Sequence, residues 1–292
     1  MVRHEASRLL PNFMTKTLSA LEKAVNRFIK QMGLTHRSAT HTAQKSHHET
    51  KTESQHFIEM MRNKVADMDP ALILNMDQTP IPFSFHAVKT LEKKGTKTIH
   101  VRASTCDTKR VTLAVTCDAN GVMLPPLLIF KGAANGRIAR EFGTYPEGGH
   151  YACQKKAWMD EDMMSKWIDD VLVPWRNEKG PDVIPLLVLD AYRVHMMGNI
   201  VNWIQSLGIE VVHIPLGCIY LGQPVDVGIN ETLKSRMREK WEDWMVKGEG
   251  MVNGSAKEPT RQLVAEWAVE VYKTIPVQTV RKSWMKKGFE WF

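Results

Sequence analysis

A length of 292 residues, 43% apolar and 24% charged, with 18 Gly, 14 Pro and no apolar run near the roughly 20 residues that cross a bilayer, excludes a collagen-like, wholly disordered or membrane-spanning chain. The net charge of +7 is unevenly placed: residues 1–66 carry 11 Lys and Arg against 5 Asp and Glu, together with 6 of the 11 His, whereas residues 67–292 are close to neutral. Cysteines 106, 117, 153 and 218 fit neither a disulfide framework nor a zinc ribbon and no signal peptide is evident, so a reducing compartment is expected. The basic segment suits a polyanion such as DNA, because each neutralised phosphate releases a counterion; a solvated helical face is the equal alternative.

Leu21, Val25, Phe28, Ile29 and Met32 recur at three- and four-residue steps and predict an amphipathic helix that stops at Gly33. Residues 36–55, rich in Thr, His, Ser and Gln, read as a linker, and Phe57, Ile58, Met61 and Val65 predict a short helix ahead of Pro70. The run Ala71-Leu72-Ile73-Leu74-Asn75-Met76-Asp77 predicts a buried strand ending at its acid, before Thr79-Pro80. Residues 98–104, 111–117 and 122–130 predict three more strands, the last two joined by the turn Asp118-Ala119-Asn120-Gly121, hence an antiparallel meander. Met164, Trp167, Ile168, Val171 and Trp175 mark a helix whose stripe reads as core. Residues 185–189 predict a strand leading to Asp190. The stripe Ile200, Trp203, Ile204 and Leu207 predicts a helix closed by Gly208, and 209–214 a strand parallel to the previous one. A long helix opens at Asp226 and runs through Ile229, Leu233, Met237, Trp241 and Trp244; two more cover 260–274 and 277–287.

Strand with acid, meander, helix, strand with acid, helix, strand, helix opening with an acid: this order is the layout of an α/β, RNase H-like nuclease core, a mixed sheet flanked by helices. The acids are Asp77, Asp190 and Asp226, with 112 and 35 residues between them. Phosphodiester cleavage requires activating water or a 3′-hydroxyl and neutralising charge on the attacking and leaving oxygens. Two Mg²⁺ ions, which prefer hard carboxylate oxygens, supply both. Each acid also has an ordinary reading: Asp77 as a turn former, Asp190 as a strand-end residue, Asp226 as a helix cap.

Asn75-Met76-Asp77-Gln78-Thr79, the stretch from Asp190 through Arg193 to His195, and Gln223-Pro224-Val225-Asp226-Val227-Gly228-Ile229-Asn230 resemble the three motifs of the DDE superfamily endonuclease domain. The last spacing is similar to the pogo branch of mariner-like transposases, and the hairpin through Gly121 to Gly132 also resembles that family. The resemblance spans roughly residues 69–289. It implies that Asp77, Asp190 and Asp226 are catalytic and bind Mg²⁺, with Mn²⁺ as substitute. The chain departs from the family pattern at Gln78, where Glu is usual, and at Leu216-Gly217-Cys218-Ile219-Tyr220, where a Gly-rich turn is expected. His195 is a candidate for a group behind the metal ligands or a phosphate contact, against an ordinary helix-start histidine. Asn230, one turn after Asp226, is a candidate to touch metal-bound water, against plain helix packing. Residues 21–37 resemble, more weakly, the end of a centromere-binding-protein-type helix-turn-helix unit, with Ala24 and Gln31 off pattern; Lys23, Arg27, Lys30 and Arg37 are its candidate DNA contacts.

The resulting expectation is a basic helical segment (1–38), a polar linker with a lead-in helix (39–66) and an endonuclease domain (67–292). The function expected is a nuclear, transposase-type endonuclease and strand transferase. Its partners are DNA, at transposon ends and target, and further copies of itself on DNA, with no membrane. The alternatives are a domesticated, non-catalytic DNA-binding protein and a general RNase H-like nuclease.

Overall fold

The computed structural model describes residues 47–85, 109–216, 223–252 and 255–285, together with 23, 26, 27 and 30–33. Residues from Lys45 onward form one compact unit and Met1–Gln44 another. In the larger unit, α1 (His47–Val65) leads through a short 3₁₀ turn into β1 (Ile73–Pro82), then β2 (Arg110–Asp118), β3 (Leu127–Lys131) and β4 (His150–Gln154). A continuous helix follows: α2 (Glu161–Trp167), a π-helical turn (Ile168–Leu172) and α3 (Val173–Asn177). After it come β5 (Leu186–Asp190), α4 (Gly198–Ser206) and β6 (Glu210–Ile214). A second π-helical turn (Val225–Ile229) opens α5 (Asn230–Val246). The small ribbon β7 (Met251–Val252) and β8 (Ser255–Ala256), α6 (Arg261–Lys273) and α7 (Val277–Met285) complete the unit.

The six main strands lie in the order β4-β3-β2-β1-β5-β6. β1, β2 and β3 are the antiparallel meander; β5 pairs parallel with β1, and β6 parallel with β5. This is the RNase H-like mixed sheet that the element order predicts. β4, parallel to β3 at the edge, is an addition that the sequence does not predict. The strand predicted over 98–104 lies outside the described residues, and the one predicted over 122–130 begins only at Leu127. α1 starts at His47, so the last part of the predicted linker is helical.

Side chains alternate between the two faces of the sheet, one step per residue. Ile73 and Ile81 of β1, Val111, Leu113 and Val115 of β2, and Leu186 and Val188 of β5 point to one face. There they pack on α1, α5, α6 and α7 through residues such as Met61, Leu233, Val264 and Trp284. Leu74, Met76, Ala114, Leu187 and Leu189 face the other way, onto the 161–177 helix and α4 through Trp167, Ile168, Val171, Ile200 and Ile204. Both faces are covered, which explains why β2 and β5 read as nearly unbroken apolar runs. The hairpin turn after β2 needs Gly121 at φ 101°, and a Cβ there would come within 2.6 Å of Val277 on α7. Arg281 of α7 donates to the backbone and side-chain oxygens of Asn120 in that turn, each at 2.7 Å.

Candidate active site

β1 does not end at Asp77. It runs on to Pro82, because beyond Asn75 it pairs with β2 alone and its open side tolerates Pro80, which has no N–H to offer. Asp77 is therefore a buried strand residue, on the face that carries Ile73 and Ile81. In the parallel pairing Ile73 lies opposite Leu186, and four residues further along each strand stand Asp77 and Asp190. The register thus puts the two acids at one level and the alternation puts them on one face. The π-helical turn 225–229 packs Val225 and Ile229 onto the same face and brings Asp226 with them.

The Asp77 carboxyl senses the other two. Burial first, then the charges of Asp226 and Asp190, push the Asp77 carboxyl well above the ordinary carboxylate range. Asp226 makes no side-chain cap; its Oδ1 accepts from Asn230 Nδ2 at 2.9 Å, so the cap alternative does not describe it.

His195 is fully buried. Its Nδ1 lies 2.6 Å from Asp190 Oδ1, an oxygen that also accepts the backbone N–H of Tyr192 at 3.2 Å. Its Nε2 lies 2.8 Å from Gln78 Nε2. An amide nitrogen can only donate, so Nε2 accepts and Nδ1 carries the proton towards Asp190. His195 therefore stands behind Asp190, joined on its far side to the residue that departs from the family pattern.

Asn75, buried and in the sequence only the first residue of the first motif with no role of its own, ties the site together. Its Nδ2 donates to the Val188 carbonyl of β5 at 2.9 Å, and its Oδ1 accepts the N–H of Val225 at 3.1 Å. One side chain thus joins the strand of Asp77, the strand of Asp190 and the turn of Asp226. The only sequence signal was its place two residues before Asp77. Of the candidate DNA contacts, Lys23, Arg27 and Lys30 are exposed, and Arg37 lies outside the described residues, as do 217–220 of the second departure.

The donor set suits a hard divalent cation: three carboxylates, with buried polar atoms that have no partner among the described residues on Thr79 (Oγ1), Gln223 (both amide atoms) and Asn230 (Oδ1). As they stand, no three His, Cys, Asp or Glu side chains among the described residues are drawn together closely enough to hold one. No helix among those residues is long and apolar enough to cross a membrane.

Residues 108–284 match the family model described as DDE superfamily endonuclease. The chain is 27% identical over 224 residues to the Homo sapiens protein "Pogo transposable element with KRAB domain", covering 75% of this chain and 36% of that protein. It is 25% identical over 268 residues to "CENP-B homolog protein 2" of Schizosaccharomyces pombe, covering 87% and 48%. The chain thus spans between a third and a half of the length of these relatives. Among solved structures, the Mos1 transposase paired-end complex with left transposon end superposes with a TM-score of 0.61 at 13% identity, over 99% of this chain and 76% of that one. A Mos1 mariner paired-end complex with Mn gives 0.60 at 14% identity, over 94% and 70%.

Proposed function

The chain belongs to the DDE superfamily of endonucleases, and from that premise we propose that it is a metal-dependent DNA endonuclease and strand transferase of the transposase type. Asp77, Asp190 and Asp226 are its catalytic residues. The observation that carries the reading is their convergence: two acids level on adjacent parallel strands, with the third on the turn packed against the same face of the sheet.

Asp77, Asp190 and Asp226 would hold Mg²⁺, or Mn²⁺ in its place. Bound there, the cations supply activation of water or a 3′-hydroxyl and neutralisation of charge on the attacking and leaving oxygens. The protein's share is orientation. Asn230 holds one oxygen of Asp226, and His195 and the Tyr192 N–H hold one oxygen of Asp190, which leaves each carboxylate its second oxygen for a ligand. Gln78 fixes which nitrogen of His195 carries its proton. Asn75 holds the two strands and the turn in register.

The substrate in this reading is DNA at transposon ends and a target, handled in the nucleus by more than one copy of the chain. Lys23, Arg27, Lys30 and Arg37 serve as additional phosphate contacts. A second reading, a domesticated DNA-binding protein without catalysis, is favoured by the carboxylates not being drawn together tightly enough for an ion and by Gln78 standing where the family resemblance leads one to expect Glu. A nicking assay in Mg²⁺ on the DNA flanking the encoding gene separates the two. Wild type should nick, Asp226→Asn should lose activity by orders of magnitude, and gel shifts should show DNA binding retained. An Asp226→Asn protein that nicks at the wild-type rate ends the three-acid assignment; a wild type that binds and never nicks favours the second reading.

A further inference from the structure

Where β1 and β3 finish and β2 begins, the sheet opens into a cleft of about 880 Å³ that takes in none of the three acids. Phe83, just past the end of β1, lines it. From Asp77 to Pro82 the strand advances five residues, roughly 17 Å at about 3.3 Å each. The charged lining is unbalanced. Lys109 is matched by Glu258 at 2.7 Å and Arg261 by Glu141 at 3.5 Å. Arg110 and Lys131 have no carboxylate partner among the described residues, and Lys156 instead places its ammonium 5.2 Å from the centre of the Trp158 ring.

Trp158 is 49% exposed, on a turn that is held stiffly. Gln154 Oε1 accepts the N–H groups of both Lys156 (2.5 Å) and Trp158 (3.1 Å), while its Nε2 donates to Asp160 at 2.9 Å. Between them Ala157 has φ 55°, the one positive φ outside glycine among the described residues, and its buried carbonyl accepts from Thr112 Oγ1. The left-handed region is unfavourable for a residue with a Cβ, and such strain concentrates at ligand clamps. The turn also reaches the acids: the carbonyl of Met159 accepts from the Tyr192 hydroxyl at 3.4 Å, and the Tyr192 ring meets His195 edge-on at 5.6 Å.

From these observations we infer that the cleft binds a single DNA strand, with a base stacked on Trp158 and phosphates held by Arg110, Lys131 and Lys156. An exposed, rigid aromatic beside unmatched cations is what a sequence-tolerant single-strand site requires, since every base offers a π-face and every phosphate a charge. The volume falls in the range of roughly 300–1,000 Å³ that takes a drug-sized ligand, room for one or two nucleotides. In a duplex the bases are stacked on one another and offer Trp158 no free face. The inference rests on the proposed function for the identity of the ligand as DNA and adds a place for an unpaired strand beyond the acids.

The test uses the full chain in EDTA, so that cleavage plays no part. Binding of a labelled oligothymidylate of about ten nucleotides is compared with binding of a duplex of the same length. Trp158→Ala should weaken the single strand about ten-fold or more and the duplex by less than about two-fold, while Trp158→Phe should recover most of the loss. Lys131→Gln with Lys156→Gln should flatten the plot of log K against log salt by about 1.4, at about 0.7 per charge on a single strand. Thermal melts check that each variant is folded. Trp158→Ala binding the single strand as wild type does, or losing the duplex equally, overturns the inference. A protein that never nicks yet keeps Trp158-dependent binding loses the endonuclease reading and keeps the cleft; nicking with no dependence on Trp158 does the reverse.

Discussion

Asp77 weakens the fold that it serves. Because folding raises its carboxyl above the ordinary range, the ionised form opposes the folded state. Below about pH 4 the carboxyl is protonated whether the chain is folded or not, and the penalty is absent; it grows as pH rises towards the folded-state value and is constant above it. Asp77→Asn, which removes the charge and keeps the side chain's shape, should therefore raise the Tm at neutral pH by about 2–4 °C per kcal/mol relieved, with the gain shrinking as pH falls towards 4. In Mg²⁺ or Mn²⁺ the order should change, since a cation bound only by the folded protein stabilises wild type more than the variant. Scanning calorimetry of both proteins at several pH values, with and without metal, measures this; a wild-type Tm indifferent to both cations would count against a working carboxylate set.

At the scale of elements, Asn75 is the joint between β1, β5 and the turn before α5. Asn75→Ala strands the Val225 N–H and the Val188 carbonyl in the core, at about 1–3 kcal/mol for each group left without a partner. Urea denaturation should show that loss, and metal affinity should fall with it because the Asp226 turn is no longer fixed. This joint also marks what the sequence could reveal. The acids were legible because each sits beside an apolar run or a helical stripe whose period is local. Asn75 was not, because its two bonds reach residues 113 and 150 positions away. His150-Tyr151-Ala152-Cys153-Gln154 gave no sign of β4, having neither an unbroken apolar run nor alternation; its pairing with β3 supplies the order. Pro80 suggested a strand end that one-sided pairing makes unnecessary. His195 offered a lone histidine five residues after Asp190, and only the folded chain gives it Gln78 on one nitrogen and Asp190 on the other.

At the scale of the whole molecule, α1 buries Phe57, Met61 and Val65 in the same core as β1 and α5. A chain starting at residue 45 should fold, whereas one starting at 67 loses three core side chains and should be less stable by several kcal/mol, at about 1.5–3 kcal/mol for each large apolar group. Removing residues 1–44 also removes 7 Lys and Arg against 2 Glu. Non-specific duplex binding should then weaken and its salt dependence become shallower, as filter binding across a salt series would show. Equal slopes for the two chains would mean that the segment is merely solvated.

On the proposed endonuclease reading, the seating of α7 bears on when the protein becomes dangerous to its own cell. That helix touches the Asn120 turn through Arg281 and, at Ser283, lies 3.4 Å from where a Cβ on Gly228 would stand, in the turn that carries Asp226. It is also made after all three acids. At about 5–20 residues per second, translation from Asp226 to Met285 takes about 3–12 s. Throughout that interval a nascent chain has both acid-bearing strands without the helix that seats the third acid. On that proposed reading, cutting power arrives late in synthesis, and ribosomes that stop between residues 226 and 277 release polypeptides that carry all three acids and lack the helix that seats the last of them.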